Sequence, residues 1–145
     1  MEFTGFTRPI DTMGRLVIPK RIRNRIQTEE IEMHTEKECI VLDACIQPNA
    51  KKQHLRYIKT LDKLGRLQIP IEIRNSLHLE YEDKLQIFID DTNQDQLRLI
   101  LKKEYERCIF CNTVCIGMVT YIDKPVCRKC MNALIERFQT EGQLP

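Results

Sequence analysis

The sequence predicts a mainly β protein with short helices: a small β-rich unit present in two tandem copies, followed by a compact cysteine-rich module. Three observations carry this expectation. Residues 8–26 and 59–77 align without a gap at an offset of 51, and nine of 19 positions are identical. Short apolar and alternating runs are bounded by Gly, Pro and Asp, as strands and turns require. Four of the seven cysteines, Cys108, Cys111, Cys127 and Cys130, form two Cys-x-x-Cys pairs near the C-terminus.

Each copy opens on a short strand that runs into Asp-x-x-Gly-Arg, at Asp11–Arg15 and Asp62–Arg66. Aspartate initiates turns by accepting nearby backbone N–H bonds, and Gly14 and Gly65 stand where such a turn needs positive φ. A second strand follows over Arg15–Ile18 and Arg66–Ile69. Pro19 and Pro70 come next. Proline cannot donate to a ladder, and it suits the first turn of a helix, where no intrahelical N–H bond is lost. The helices expected there are short, Lys20–Ile26 and Ile71–Leu77. Ile22 and Ile26 in one, and Ile73 and Leu77 in the other, are spaced i, i+4 and should face a core. A hairpin closes each copy: Ile31–Thr35 with Cys39–Leu42, and Lys84–Asp90 with Leu97–Lys102 across a polar turn.

The expected boundaries are a first copy over 1–46, a linker over 47–54, a second copy over 55–104 and a cysteine module over 105–145. A unit as small as one copy buries little apolar surface. Mutual completion is therefore expected, the hairpins of one copy packing into the other as a pseudo-dimer. The offset permits this within one chain or between chains.

The tail spacing, Cys-x2-Cys-x15-Cys-x2-Cys, lets two knuckles present thiolate pairs to one ion. A hairpin over Val114–Ile116, Gly117 and Val119–Ile122 is expected between them, then an amphipathic helix with Leu134 and Phe138 at i, i+4. Knuckle, hairpin, knuckle and helix resembles a zinc-ribbon or treble-clef module. Four thiolates leave no open position, so one closed, structural Zn2+ is expected, with an iron–sulfur cluster as the alternative. An odd cysteine count and knuckle spacing favour reduced thiols over a disulfide framework. Cys39 is expected in the core, Cys45 near the linker, and Cys115 in the tail hairpin.

Composition agrees with a soluble globular chain, at 42% hydrophobic and 30% charged residues. No apolar run is long enough to span a membrane, and Met1–Phe6 lacks signal-peptide character, so a cytoplasmic location is expected. The net charge is only +2, but its distribution is uneven. Residues 1–26 carry six Lys/Arg against two acids, and residues 27–50 carry one against six. Residues 55–77 carry five bases against two acids, and residues 78–107 five against eight. The basic blocks coincide with the repeated segments, a distribution suited to a polyanion.

The stretch from Thr4 to Arg23, with its Asp-x-x-Gly-Arg-x-x-Ile-Pro core, closely resembles the AbrB/SpoVT group of swapped-hairpin transcription factors, and residues 56–103 resemble it again. The resemblance implies an interleaved, two-fold β-barrel that binds double-stranded DNA, with arginines of the first hairpin and of the short helix at the contact. Carried over residue by residue, these are Arg8, Arg15 and Arg23 in the first copy, and Lys59, Arg66 and Arg74 in the second. Arg21 joins them as a flanking basic residue. Asn24 and Asn75 replace a family arginine. The fork of arginine suits phosphates and guanine edges, which supports the same reading on physical grounds. The second copy is poorer in flanking bases, with Glu72 and Ser76 where the first has Arg21 and Arg25, so unequal halves are expected.

The expected function is a DNA-binding transcriptional regulator, a homo-oligomer whose zinc tail mediates oligomerisation or a partner contact. The alternative is an antitoxin-like interaction module that neutralises a partner and represses its own gene. Such antitoxins usually act through a disordered acidic tail, whereas this tail carries paired cysteines. His34, His54 and His78 have no shared spacing and are expected at the surface or at element boundaries. With no catalytic constellation in the sequence, an enzyme is not expected.

Overall fold

The computed structural model describes residues 1–44, 56–92, 96–114 and 117–142. The chain divides into two compact units, Met1–Glu104 and Tyr105–Pro145. The expected linker over 47–54, and with it Cys45, His54 and Cys115, lies outside the described residues.

The first unit contains β1 (Glu2–Pro9), β2 (Arg15–Val17), α1 (Lys20–Arg23), β3 (Glu30–Glu36), β4 (Cys39–Asp43), β5 (Tyr57–Thr60), β6 (Arg66–Gln68), α2 (Ile71–Ser76), β7 (Lys84–Asp90) and β8 (Arg98–Lys103). It is mainly β, with short helices. One antiparallel sheet runs β1-β7-β8-β4-β3-β5, and β2 pairs with β6 as a separate ribbon. Among the described residues the sheet is open, with β1 and β5 at its edges.

The pairing is strongly non-local. β1 lies along β7, with Thr7 opposite Gln86 and Arg8 opposite Leu85. β5 lies along β3, with Lys59 opposite Ile31. The hairpins β3–β4 and β7–β8 meet along β4 and β8, with Val41 opposite Ile100. Matching each strand with its counterpart in the sequence repeat (β1 with β5, β3 with β7, β4 with β8) leaves the sheet order unchanged.

Period-two alternation explains which face is buried. Ile31, Met33, Ile40 and Leu42 of one hairpin join Leu85, Ile87, Leu99 and Leu101 of the other in a single cluster. Leu16, Ile18, Leu67 and Ile69 from the ribbon complete it, each with no exposed surface. Ile22 and Ile73 anchor the helices in that core, with Ile26 and Leu77 half-buried against it.

Three local features differ from expectation. The first helix ends at Arg23 because the N–H groups of Arg25 and Ile26 bond carbonyls only three residues back, Ile22 and Arg23, each at 3.0 Å. This tightens the last turn into 3-10 geometry. Cys39 is half-buried rather than in the core. His34 is fully buried, not at the surface. It lies on the outward row of β3, where alternation alone predicts solvent, within an ionic group. His34 Nε2 meets Glu36 at 2.9 Å, Arg56 meets the buried Glu32 at 3.2 Å, and Arg98 meets the buried Asp43 at 2.8 Å.

Candidate nucleic-acid interface and metal centre

Two matching turns build the first site. The Gly14 N–H donates to the Asp11 carbonyl at 3.0 Å, and the Asp11 N–H to the Arg15 carbonyl at 2.9 Å. The corresponding distances at Asp62, Gly65 and Arg66 are 3.0 and 3.2 Å. Gly14 and Gly65 close these turns at φ +76° and +80°, a region that a side chain disfavours. The Asp11 carboxylate accepts N–H bonds from Met13 and Arg15 at 2.9 and 2.8 Å, and the Arg15 Nε–H at 2.9 Å. Asp62 does the same for Leu64, Arg66 and the Arg66 Nε–H, at 2.9, 2.8 and 2.6 Å.

Slight burial works to raise the Asp11 carboxyl, but the N–H and guanidinium of Arg15 and the N–H of Met13 hold it below its ordinary 3.8. The N–H and guanidinium of Arg66 lower Asp62 likewise. Ion pairs this exposed add little stability. Their effect is orientation: each fixes one edge of a guanidinium, whose terminal nitrogens carry four further N–H donors.

The β2–β6 ribbon sets the turns side by side. Val17 stands opposite Arg66, and Arg15 opposite Gln68. The Ile18 N–H reaches the Gly65 carbonyl at 2.8 Å, and the Ile69 N–H the Gly14 carbonyl at 3.0 Å. Arg15 and Arg66 are 28% and 37% exposed. Arg23 and Arg74 flank them, with Nε–H donating to the Ile18 and Ile69 carbonyls at 2.9 and 3.0 Å. Arg21 is exposed on α1. Arg8 and Lys59 stand on the two edge strands of the sheet. The Arg8 guanidinium sits 5.3 Å from the Phe6 ring centroid.

Sequence reasoning missed Gln68. Its side-chain amide donates to the Met13 carbonyl at 2.7 Å, across the ribbon. The counterpart position holds Val17, which has no such donor. The available signal was a polar-for-apolar difference inside an otherwise matching stretch.

The second unit contains β9 (Val119–Tyr121), β10 (Lys124–Val126) and α3 (Arg128–Glu141). The hairpin turns at Ile122–Asp123, both at positive φ (49° and 59°), later in the chain than expected. A two-residue turn with both φ positive matches the right-handed strand twist. Val114 belongs to no strand, and residue 116 lies outside the described residues. Leu134 and Phe138, expected on the apolar face of the helix, are 48% and 71% exposed.

The first knuckle is closed by the Asn112 N–H to the Cys108 carbonyl at 2.9 Å, and tied to β10 by the Ile109 N–H to the Pro125 carbonyl at 2.9 Å. Cys127 caps α3, its sulfur accepting from the Cys130 N–H at 3.4 Å. The four Sγ atoms lie within 4.8 Å of one another, and those of Cys111 and Cys127 are 3.7 Å apart. A tetrahedral ion with metal–sulfur bonds of about 2.3 Å needs thiolates roughly 3.8 Å apart. The donor set therefore fits a soft, four-coordinate metal.

The thiol electrostatics agree. Backbone N–H groups of Cys127 and Cys111 lower Cys108 to about 6, and the hydroxyl and N–H of Thr113 lower Cys111. The Cys127 side chain, burial and the neighbouring sulfurs push Cys130 up to about 12. The cluster thus resists losing all its protons without a cation. Among the described residues of this unit, Cys108, Val126 and Cys127 are the buried ones, so ligand residues form most of its core.

Among the described residues, no helix is long and apolar enough to cross a membrane. No family model matches the chain. Over 46 residues the chain is 41% identical to the transition state regulatory protein AbrB of Bacillus subtilis (strain 168), a match that covers 32% of this chain and 43% of that protein. The chain thus spans less than half the length of the curated relative it matches.

Proposed function

We propose that the protein is a sequence-specific, DNA-binding transcriptional regulator of AbrB-like type, with both repeats completing each other inside one chain as a swapped-hairpin pseudo-dimer. The observation that carries this is the pairing of two matching Asp–Arg turns by the β2–β6 ribbon, which brings Arg15 and Arg66 to one site. A β-ribbon can enter a major groove, and a held guanidinium can donate two parallel bonds to a guanine edge. The reciprocal pairing of β1 with β7 and of β5 with β3 supports the exchange of hairpins. The partial likeness to a transition state regulatory protein supports the regulatory role.

In this reading Arg15 and Arg66 read bases, while Arg8, Arg21 and Lys59 set register on phosphates. Cys108, Cys111, Cys127 and Cys130 hold one structural Zn2+, which folds the tail as a platform for oligomerisation or a partner contact. The protein acts in the cytoplasm and is not an enzyme. Mobility shifts with duplexes selected from random sequence test the assignment. Arg15→Ala with Arg66→Ala should abolish selective binding, and undiminished affinity in the double variant rejects this face.

A further inference from the structure

Resting on that reading, the geometry points to a cross-clamp: Arg23 and Arg74, expected from the resemblance as direct DNA contacts, serve instead as positioning residues, each holding the arginine-bearing turn of the opposite half.

The contacts are reciprocal. The Arg23 guanidinium lies over Gly65, so that a Cβ built there would come within 2.6 Å of its Cδ and 2.8 Å of its Cζ. The Arg74 guanidinium lies over Gly14, with Nε and Nη1 2.6 and 2.7 Å from the equivalent point. Each arginine is held to its own half by Nε–H, donating to the carbonyl just before its helix-starting proline. Arg23 also donates from Nη1 to the Lys63 carbonyl at 3.4 Å. Each guanidinium therefore bridges a carbonyl of its own half and the turn of the other. Both arginines are half-buried.

Chemistry favours this arrangement. A guanidinium is flat, permanently charged and weakly hydrated, so it packs on a surface without a side chain while its edge donates hydrogen bonds. Glycine at these positions thus serves two purposes: it permits the positive φ and leaves room for the clamp. Gln68 adds a second grip on the first turn through the Met13 carbonyl, and Val17 offers the second turn no equivalent. Arg66 should accordingly depend more on its clamp than Arg15 does.

Two measurements test the proposal. In the free protein, amide spectra of Arg23→Ala should move the Gly65 and Arg66 signals more than those of Gly14 and Arg15, and Arg74→Ala should do the reverse. Arg23→Lys keeps the charge but lacks the planar fork, so it should displace Gly65 and Arg66 as Arg23→Ala does, and it serves if the alanine variant fails to fold. On a short duplex of random sequence at low salt, losses should be non-additive across the clamp. Once Arg66→Ala is present, Arg23→Ala should cost less than about threefold more, whereas with Arg15→Ala it should keep its full effect. Unmoved Gly65 and Arg66 signals, or additive losses in every pairing, would overturn the clamp. A wild-type chain that binds no duplex would instead sink the DNA reading, and the spectra alone would decide the clamp.

Discussion

Leu101→Ala is the sharpest test of a core shared by both halves. Leu101 is 1% exposed, opposite Ile40 of β4 and Ile87 of β7, so it packs where the two hairpins join. Deleting about three methylene equivalents at about 0.8 kcal/mol each removes roughly 2.4 kcal/mol of burial. The incompletely collapsed cavity adds up to about 2 kcal/mol. The expected loss is therefore about 2–4 kcal/mol. For a unit of this size each kcal/mol lowers the midpoint by roughly 4–8 °C, so circular-dichroism melts should fall by about 10 °C or more. Urea unfolding should show a lower midpoint with an unchanged slope. The first unit should still unfold in one step, because Leu101 serves both hairpins. A loss below about 1 kcal/mol, or a melt in which one hairpin outlives the other, would refute this account of the core.

Gly65→Ala places a Cβ at φ +80° against Arg23, and should cost about 1–2 kcal/mol from backbone strain alone, read by thermal melts; a neutral result rules out the left-handed turn. Chelation, or Cys127→Ser, should unfold the second unit and leave the first intact, since few of its described residues other than the ligands are buried. Helical signal from α3 that persists in metal-free protein would contradict this. The Asp62 carboxyl is lowered in the folded state, so its contribution is fully present above the ordinary 3.8 and fades as pH falls through the lower folded value. The stability gap between wild type and Asp62→Asn should accordingly hold constant from neutrality to roughly pH 5 and shrink below 3.8. A gap that widens on acidification reverses the assigned sign.

Much of the local architecture is legible in the sequence because it is decided by near neighbours. Asp11, Gly14 and Pro19 dictate turn, strand end and helix start within a few bonds, and the Cys-x-x-Cys spacing dictates the knuckles. Which strand receives β1 is another matter. Leu85 and Ile31 would each offer an apolar neighbour, and only packing across the whole first unit selects β7 for β1 and β3 for β5. His34 reads as solvent-facing by alternation; Glu36 is its neighbour along β3, but Asp43 comes near only once β3 and β4 pair. Arg23 reads as a DNA contact by resemblance, and its contact with Gly65 stays hidden because the two are 42 residues apart in the chain. The tail hairpin falls later than expected because Ile122 and Asp123, with no glycine between them, supply its turn.

The joining of both hairpins along β4 and β8 within a single chain has a further consequence. Two identical subunits cannot differ, so any change in one is copied into the other. Here each half is encoded separately, and Val17 can drift from Gln68, or Arg21 from Glu72, without altering its counterpart. As a pseudo-dimer within one chain, the form proposed above, the halves would also meet at a fixed one-to-one ratio that dilution cannot change. In the proposed DNA-binding reading, left and right can therefore be tuned independently, and a target with unlike arms becomes reachable where a symmetric assembly is bound to a palindrome.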